Sequence, residues 1–136
     1  MRLLELLVKK GKFSEAAAVG QSAIYVDVMN PKMHYLYARA LARTGKQISA
    51  IYELNSAILA RPSAKGRQLI YKKMAEGYRR LGYAKYARRA AELADLAKAE
   101  QQKEKNADFE SRGSKKGATI AVPLPRNLRP RSGDLR

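Results

Sequence analysis

The sequence predicts an all-α fold, a stack of antiparallel helix–turn–helix hairpins followed by a disordered basic C-terminal tail. Three observations carry this. Apolar residues recur at helical spacing over residues 1–108. Three glycines, Gly11, Gly45 and Gly82, punctuate that region at intervals of 34 and 37 residues. From residue 109 the composition changes to "FESRGSKKGATIAVPLPRNLRPRSGDLR", with three prolines, three glycines and no sustained apolar period.

Each element follows from local chemistry. "MRLLELLVKKG" opens the chain as a short helix ending at Gly11. It is too short for a signal peptide and no small-residue cleavage site follows. A second helix runs from there to the turn around Asn30, which caps the helix that Pro31 opens. Gly45 ends that helix, because glycine tolerates the left-handed conformation of a helix stop. Pro62 stops the next, and Ser63 caps the one after. Gly82 makes the last turn, and a polar helical extension, "AKAEQQKEKNADFE", closes the region. Turns are thus expected near Gly11, Asn30, Gly45, Pro62 and Gly82, between five or six helices.

The spacing extends beyond glycine. Ala16, Ala50 and Ala87 each stand five residues after a glycine, and Ala23, Ala57 and Ala94 seven residues further. Ala38 and Ala75 precede the second and third glycines by seven residues, and Leu41 and Tyr78 precede them by four. Small residues at Ala38, Ala50 and Ala57 let helices approach closely. Tyr37, Leu41, Ile51, Leu54 and Ile58 fill the gaps at helical spacing. This pattern resembles the tetratricopeptide repeat, a 34-residue helix–turn–helix unit. The resemblance covers about residues 1–98, in units of about 1–30, 31–62 and 63–98. The middle unit, "PKMHYLYARALARTGKQISAIYELNSAILARP", is the clearest. The first unit lacks most of its first helix and has Gly20 where a large apolar residue is usual. The third has Ala84 where an aromatic commonly follows the turn.

The resemblance implies a right-handed solenoid with a concave face lined by the first helix of each unit. Transferred position by position, that face is Lys32, Tyr35, Arg39, Ala42 and Arg43 in the middle unit. In the third it is Leu69, Lys72, Glu76, Arg79 and Arg80, and the partial first unit adds Glu5, Val8 and Lys9. Seven of these thirteen side chains are basic, so the groove should prefer an acidic segment. Relatives that clamp a terminal carboxylate use lysine, asparagine and arginine; here Glu76 stands where the asparagine would.

Charge supports the same class of partner. The chain carries 28 basic and 12 acidic residues, a net charge of +16. Residues 1–108 hold 21 basic and 10 acidic residues, and 109–136 hold seven and two, so the basicity is not confined to the tail. Such a balance attracts polyanions: acidic protein, nucleic acid or anionic membrane. The segment "GYRRLGYAKYARRA", Gly77 to Ala90, reads as a turn with packed tyrosines and solvated arginines, a nucleic-acid contact being the alternative. "ATIAV" in the tail could add one strand to a partner.

Chemistry of the catalytic kind is sparse. There is no cysteine, and His34 is the only histidine. It sits one turn before Ala38, a packing position. Glu92 and Asp95 lie on an ordinary helix face. The glycines follow helices, whereas phosphate-cradling loops follow strands. No cofactor and no enzymatic activity are expected. No apolar run approaches the roughly 20 residues of a membrane span, and with no signal peptide the cytoplasm is the expected compartment. The reading is a non-enzymatic interaction scaffold that takes an acidic peptide or protein surface in its basic groove. Two alternatives stand beside it: an accessory protein of RNA or ribonucleoprotein using groove and tail, and the C-terminal or regulatory part of a longer repeat protein.

Overall fold

The structure, a computed structural model, describes residues 2–110, with side chains through residue 107. The described residues are helical throughout, with no strand. Six helices follow one another: α1 (Arg2–Lys9), α2 (Phe13–Val26), α3 (Pro31–Arg43), α4 (Gln47–Leu59), α5 (Ala64–Arg80) and α6 (Ala84–Glu110). The tail from residue 111 on, "ATIAV" included, lies outside the described residues. Helix α6 runs two residues past the expected boundary at 108.

The three glycine turns are one device used three times. Gly11, Gly45 and Gly82 have φ of 78°, 88° and 84°. At each, the next residue's N–H reaches back five residues: Lys12 to Leu7 O, Lys46 to Leu41 O and Tyr83 to Tyr78 O, all at 2.9 Å. The glycine N–H takes the carbonyl three residues back, at 3.1–3.2 Å. This pairing satisfies carbonyls a helix end leaves open. The other two reversals are built from side chains. Asn30 Oδ1 accepts from Met33 N–H at 3.2 Å, and Ser63 Oγ accepts from Gly66 N–H at 3.2 Å. Pro62 does not stop α4 unaided. Arg61 takes a left-handed φ of 57°, a conformation that costs a non-glycine residue about 1–2 kcal/mol.

Each helix packs on its neighbour in sequence, and α3 also touches α1 and α5. The ends that meet, Arg43 with Phe13, Gly77 with Gln47 and Arg67 with Glu100, set successive helices antiparallel and α1, α3 and α5 the same way. The core has two parts. Leu4, Val8, Ala16, Met33, Leu36 and Ala40 join α1, α2 and α3. The larger part runs from Ile24 through Tyr37, Ile51, Ile58 and Met74 to Ala94. The alanines expected at close approaches, Ala38, Ala50 and Ala57, are buried, as are Ala16, Ala75, Ala87 and Ala94 at the repeated positions; Ala23 is only half-buried. Gly20 is accounted for by packing. A Cβ there would lie 2.5 Å from Tyr37 Cδ1, so the glycine makes room for the Tyr37 ring.

The third turn is an aromatic corner. Tyr78 is fully buried, its ring centroid 5.5 Å from that of Tyr86, and Tyr83 meets Tyr86 edge-on at 6.2 Å. Arg79, Arg80, Arg88 and Arg89 stay exposed around it. Further along, buried Arg67 donates to Pro62 O at 3.0 Å and to Glu100 Oε2 at 2.6 Å. That pair fixes the start of α5 to the polar part of α6.

Candidate basic face

The residues singled out in the sequence lie on α1, α3 and α5. Instead of one channel they border three concavities. The central one lies between α3 and α5 over the start of α4, with Arg39, Arg43, Glu76 and Arg80 on its walls and Ala50, Ile51 and Leu54 at its floor. Beside it, Tyr35, Lys72, Glu76 and Arg79 line a second concavity between α3, α5 and α6. A third, between α1 and α3, is lined by Glu5, Val8, Lys9, Lys32 and Arg39. Arg39 borders the first and third, and Glu76 the first and second, so the three are contiguous. Ala42 lines the first and Leu69 the second.

The electrostatics are not uniformly open. Glu76 sits among its own neutralisers, with Lys73 Nζ at 3.5 Å and Arg80 Nη2 at 3.7 Å. Lys32 Nζ pairs with Glu5 at 3.2 Å across α1 and α3. All of these groups are partly exposed, so the pairs are weak. The arginines are held by aromatic faces: Arg39 lies 6.0 Å from the Tyr35 centroid and Arg43 4.7 Å from that of Phe13. Cation–π contact of this kind positions a guanidinium without removing its charge. Tyr35 is half-buried, and burial raises its phenol pKa, against a lowering by Arg39 and with a further raise from Glu76. Its hydroxyl therefore stays protonated at neutral pH and available as a donor.

Two residues of this face escaped the sequence reading. Lys73 lines the first two concavities, one residue from Lys72, and Arg2 lines the third. The unit positions single out one lysine of the pair "KK"; only the packing shows that both reach the face. His34 lies elsewhere, buried against α4. Its Nε2 is 2.7 Å from Val28 O and its Nδ1 2.8 Å from Glu53 Oε2. A carbonyl carries no proton, so Nε2 donates to Val28 O, and Nδ1 faces the Glu53 carboxylate. The ring thus ties the α2–α3 loop to α4, a packing role.

Among the described residues no group of three or more His, Cys, Asp or Glu side chains could hold a metal ion. No helix among them is long and apolar enough to cross a membrane. No protein-family model, curated protein or solved structure matches the chain.

Proposed function

We propose that the chain is a short tetratricopeptide-like solenoid and a protein-interaction module. Its basic face on α1, α3 and α5 takes an extended acidic segment of a partner protein. One observation carries this reading: residues chosen by repeat position alone line three contiguous concavities, and the cations among them outnumber the acids. Repeated glycine turns at intervals of 34 and 37 residues and contact between α1, α3 and α5 support the solenoid.

In this reading Arg39 and Arg43, held over the rings of Tyr35 and Phe13, offer guanidinium forks to carboxylates. Lys72 and Arg79 extend the line along α5. Glu76, already paired, makes a terminal-carboxylate clamp a poor fit and favours side-chain carboxylates spaced along a peptide. The tail at 109–136 adds non-specific attraction.

The test is selection from a displayed peptide library with the full chain, followed by affinity measurement on the enriched peptides. Acidic peptides should be enriched. Reversing charge with Arg39→Glu and Arg43→Glu should abolish their binding with the helical circular dichroism intact, and deleting 109–136 should only weaken it. Loss on tail deletion with no effect of the reversal would refute the groove.

A further inference from the structure

The basic face does not account for all the positive charge. Because α1, α3 and α5 run the same way, the three glycine turns come to one end of the stack. Two contacts bind them there. Arg43, at the end of α3, lies over Phe13 at the start of α2. Arg43, Gln47 and Arg80 border one concavity, which joins the second turn to the third.

That end is a ridge of cations. The first turn carries Lys9, Lys10 and Lys12, and the second Arg43 and Lys46. The third carries Arg79, Arg80 and Lys85, with Arg88 and Arg89 one helical turn along. Ten basic residues thus stand in segments 9–15, 43–47 and 79–89 against one acid, Glu15. All are exposed except Lys46, which is half-exposed. Of these ten, only Arg80 is in an ion pair with another of the described residues. The remaining nine charges are uncompensated by any carboxylate within salt-bridge distance, an arrangement whose self-repulsion a polyanion would relieve.

We propose that this turn edge, where three glycine turns place ten cations in a row, is a contact surface for the phosphate backbone of a nucleic acid. Two features favour that partner. First, none of the chain's exposed large apolar side chains lies in these segments. Tyr25, Val26, Val28, Met29 and Leu59 are all at the opposite end of the hairpins. An anionic membrane surface would be met by cations interleaved with inserting apolar residues. Second, Lys10, Lys12, Lys46, Lys85, Arg88 and Arg89 line none of the concavities described, so they offer point charges without the side-chain pockets that a peptide needs for specificity. Packed helices stand about 8–10 Å apart, so neighbouring turns span a few phosphates of a strand carrying one charge per ~3.4 Å. Recognition by such an edge is of charge and not of sequence.

This surface shares Lys9, Arg43, Arg79 and Arg80 with the groove and is separable from it through its other cations. Lys12, Lys46 and Lys85 belong to it and line none of the concavities described above. The experiment uses the full chain and a fluorescein-labelled random-sequence RNA oligonucleotide, with anisotropy read across a salt series. The triple variant Lys12→Gln, Lys46→Gln, Lys85→Gln should lose on the order of tenfold in affinity. The slope of log affinity on log salt should become shallower by about 2–3, one contact per lysine. A control of equal charge, Arg61→Gln, Lys65→Gln, Lys98→Gln, removes exposed cations away from the edge and should change both much less. Arginine at the three edge positions should restore binding. Equal losses in the two triples would show that net charge alone is sensed, and no loss in either would move binding to the tail. Each result overturns the proposal. So would phosphatidylserine vesicles that bind more tightly than RNA at matched ionic strength and depend on the same three lysines.

Discussion

Replacing Gly20 with alanine tests the packing of the first unit, because two opposing effects meet there and their sizes decide the sign. Alanine is favoured over glycine inside a helix by about 1 kcal/mol, and Gly20 is well inside α2. The new methyl would lie 2.5, 2.9 and 3.0 Å from Cδ1, Cγ and Cβ of Tyr37. These are the root of the side chain, not a tip that can swing aside. Tyr37 is 1% exposed and belongs to the larger core, so relief requires moving α2 away from α3. Overpacking of that kind costs about 1–3 kcal/mol. The net expectation for Gly20→Ala is a destabilisation of about 1 kcal/mol, or more where the backbones resist. That is roughly 4–8 °C in Tm per kcal/mol for a domain of this size. Thermal and urea unfolding followed by circular dichroism measure it. Gly45→Ala is the contrasting case: nothing lies within 4 Å of its Cβ, and the φ of 88° alone should cost about 1–2 kcal/mol. A Gly20→Ala protein as stable as the parent, or more so, would refute the close approach of α2 to Tyr37.

Other perturbations read the remaining joints. Ala50 is 2% exposed, so Ala50→Leu should overpack α4 and cost about 1–3 kcal/mol; an unchanged Tm would argue against the repeat register. Removing one member of the buried His34–Glu53 pair, as in His34→Ala, breaks a buried hydrogen-bonded pair and should cost up to about 3–5 kcal/mol. Replacing both by leucine should cost less than that single change, as unfolding by urea would show. Burial raises the Tyr78 phenol above its ordinary pKa of 10.0, with Tyr86 and Tyr52 adding to the raise. A raised phenol leaves stability intact below pH 10.0 and removes it as pH climbs beyond, because the unfolded chain ionises first. Tm should therefore fall above about pH 10, and Tyr78→Phe should flatten that fall; an equally steep fall in the variant would assign it to other groups.

Legibility in the sequence followed the range of the interaction. The turns at Gly11, Gly45 and Gly82 and the caps at Asn30 and Ser63 depend on residues within about one helical turn, so spacing and residue type were enough to find them. The alanines at close approaches repeat with the units and were visible for the same reason. What a helix meets on its partner was not. The Arg67–Glu100 bond joins residues 33 apart and His34–Glu53 joins residues 19 apart, and no local pattern marks either. Gly20 looked like a departure from the unit until the Tyr37 ring was seen against it. Six helices were within the expected five or six. Lys73 was passed over because a one-dimensional register admits one lysine where the helix surface presents two.

The distribution of charge has a physical origin in the hairpin geometry. Basic residues at the last turn of α3 and α5 oppose the partial negative charge of those helix C-termini, so local helix energetics favour cations at that end of each odd helix. Stacking multiplies the preference, because every odd helix ends on the same edge. A cation that steadies one helix then faces its counterparts on the next, and the ridge carries repulsion that each isolated helix would not. Lys9 closes α1 in the same way. Lys12 and Lys46 have no such excuse: they stand at the starts of α2 and α4, where the dipole disfavours them, and their side chains make no cap bond. Helix stability alone would place serine, threonine or aspartate at those two positions. Lysine there is a local cost to α2 and α4, in keeping with the phosphate contact proposed for this edge.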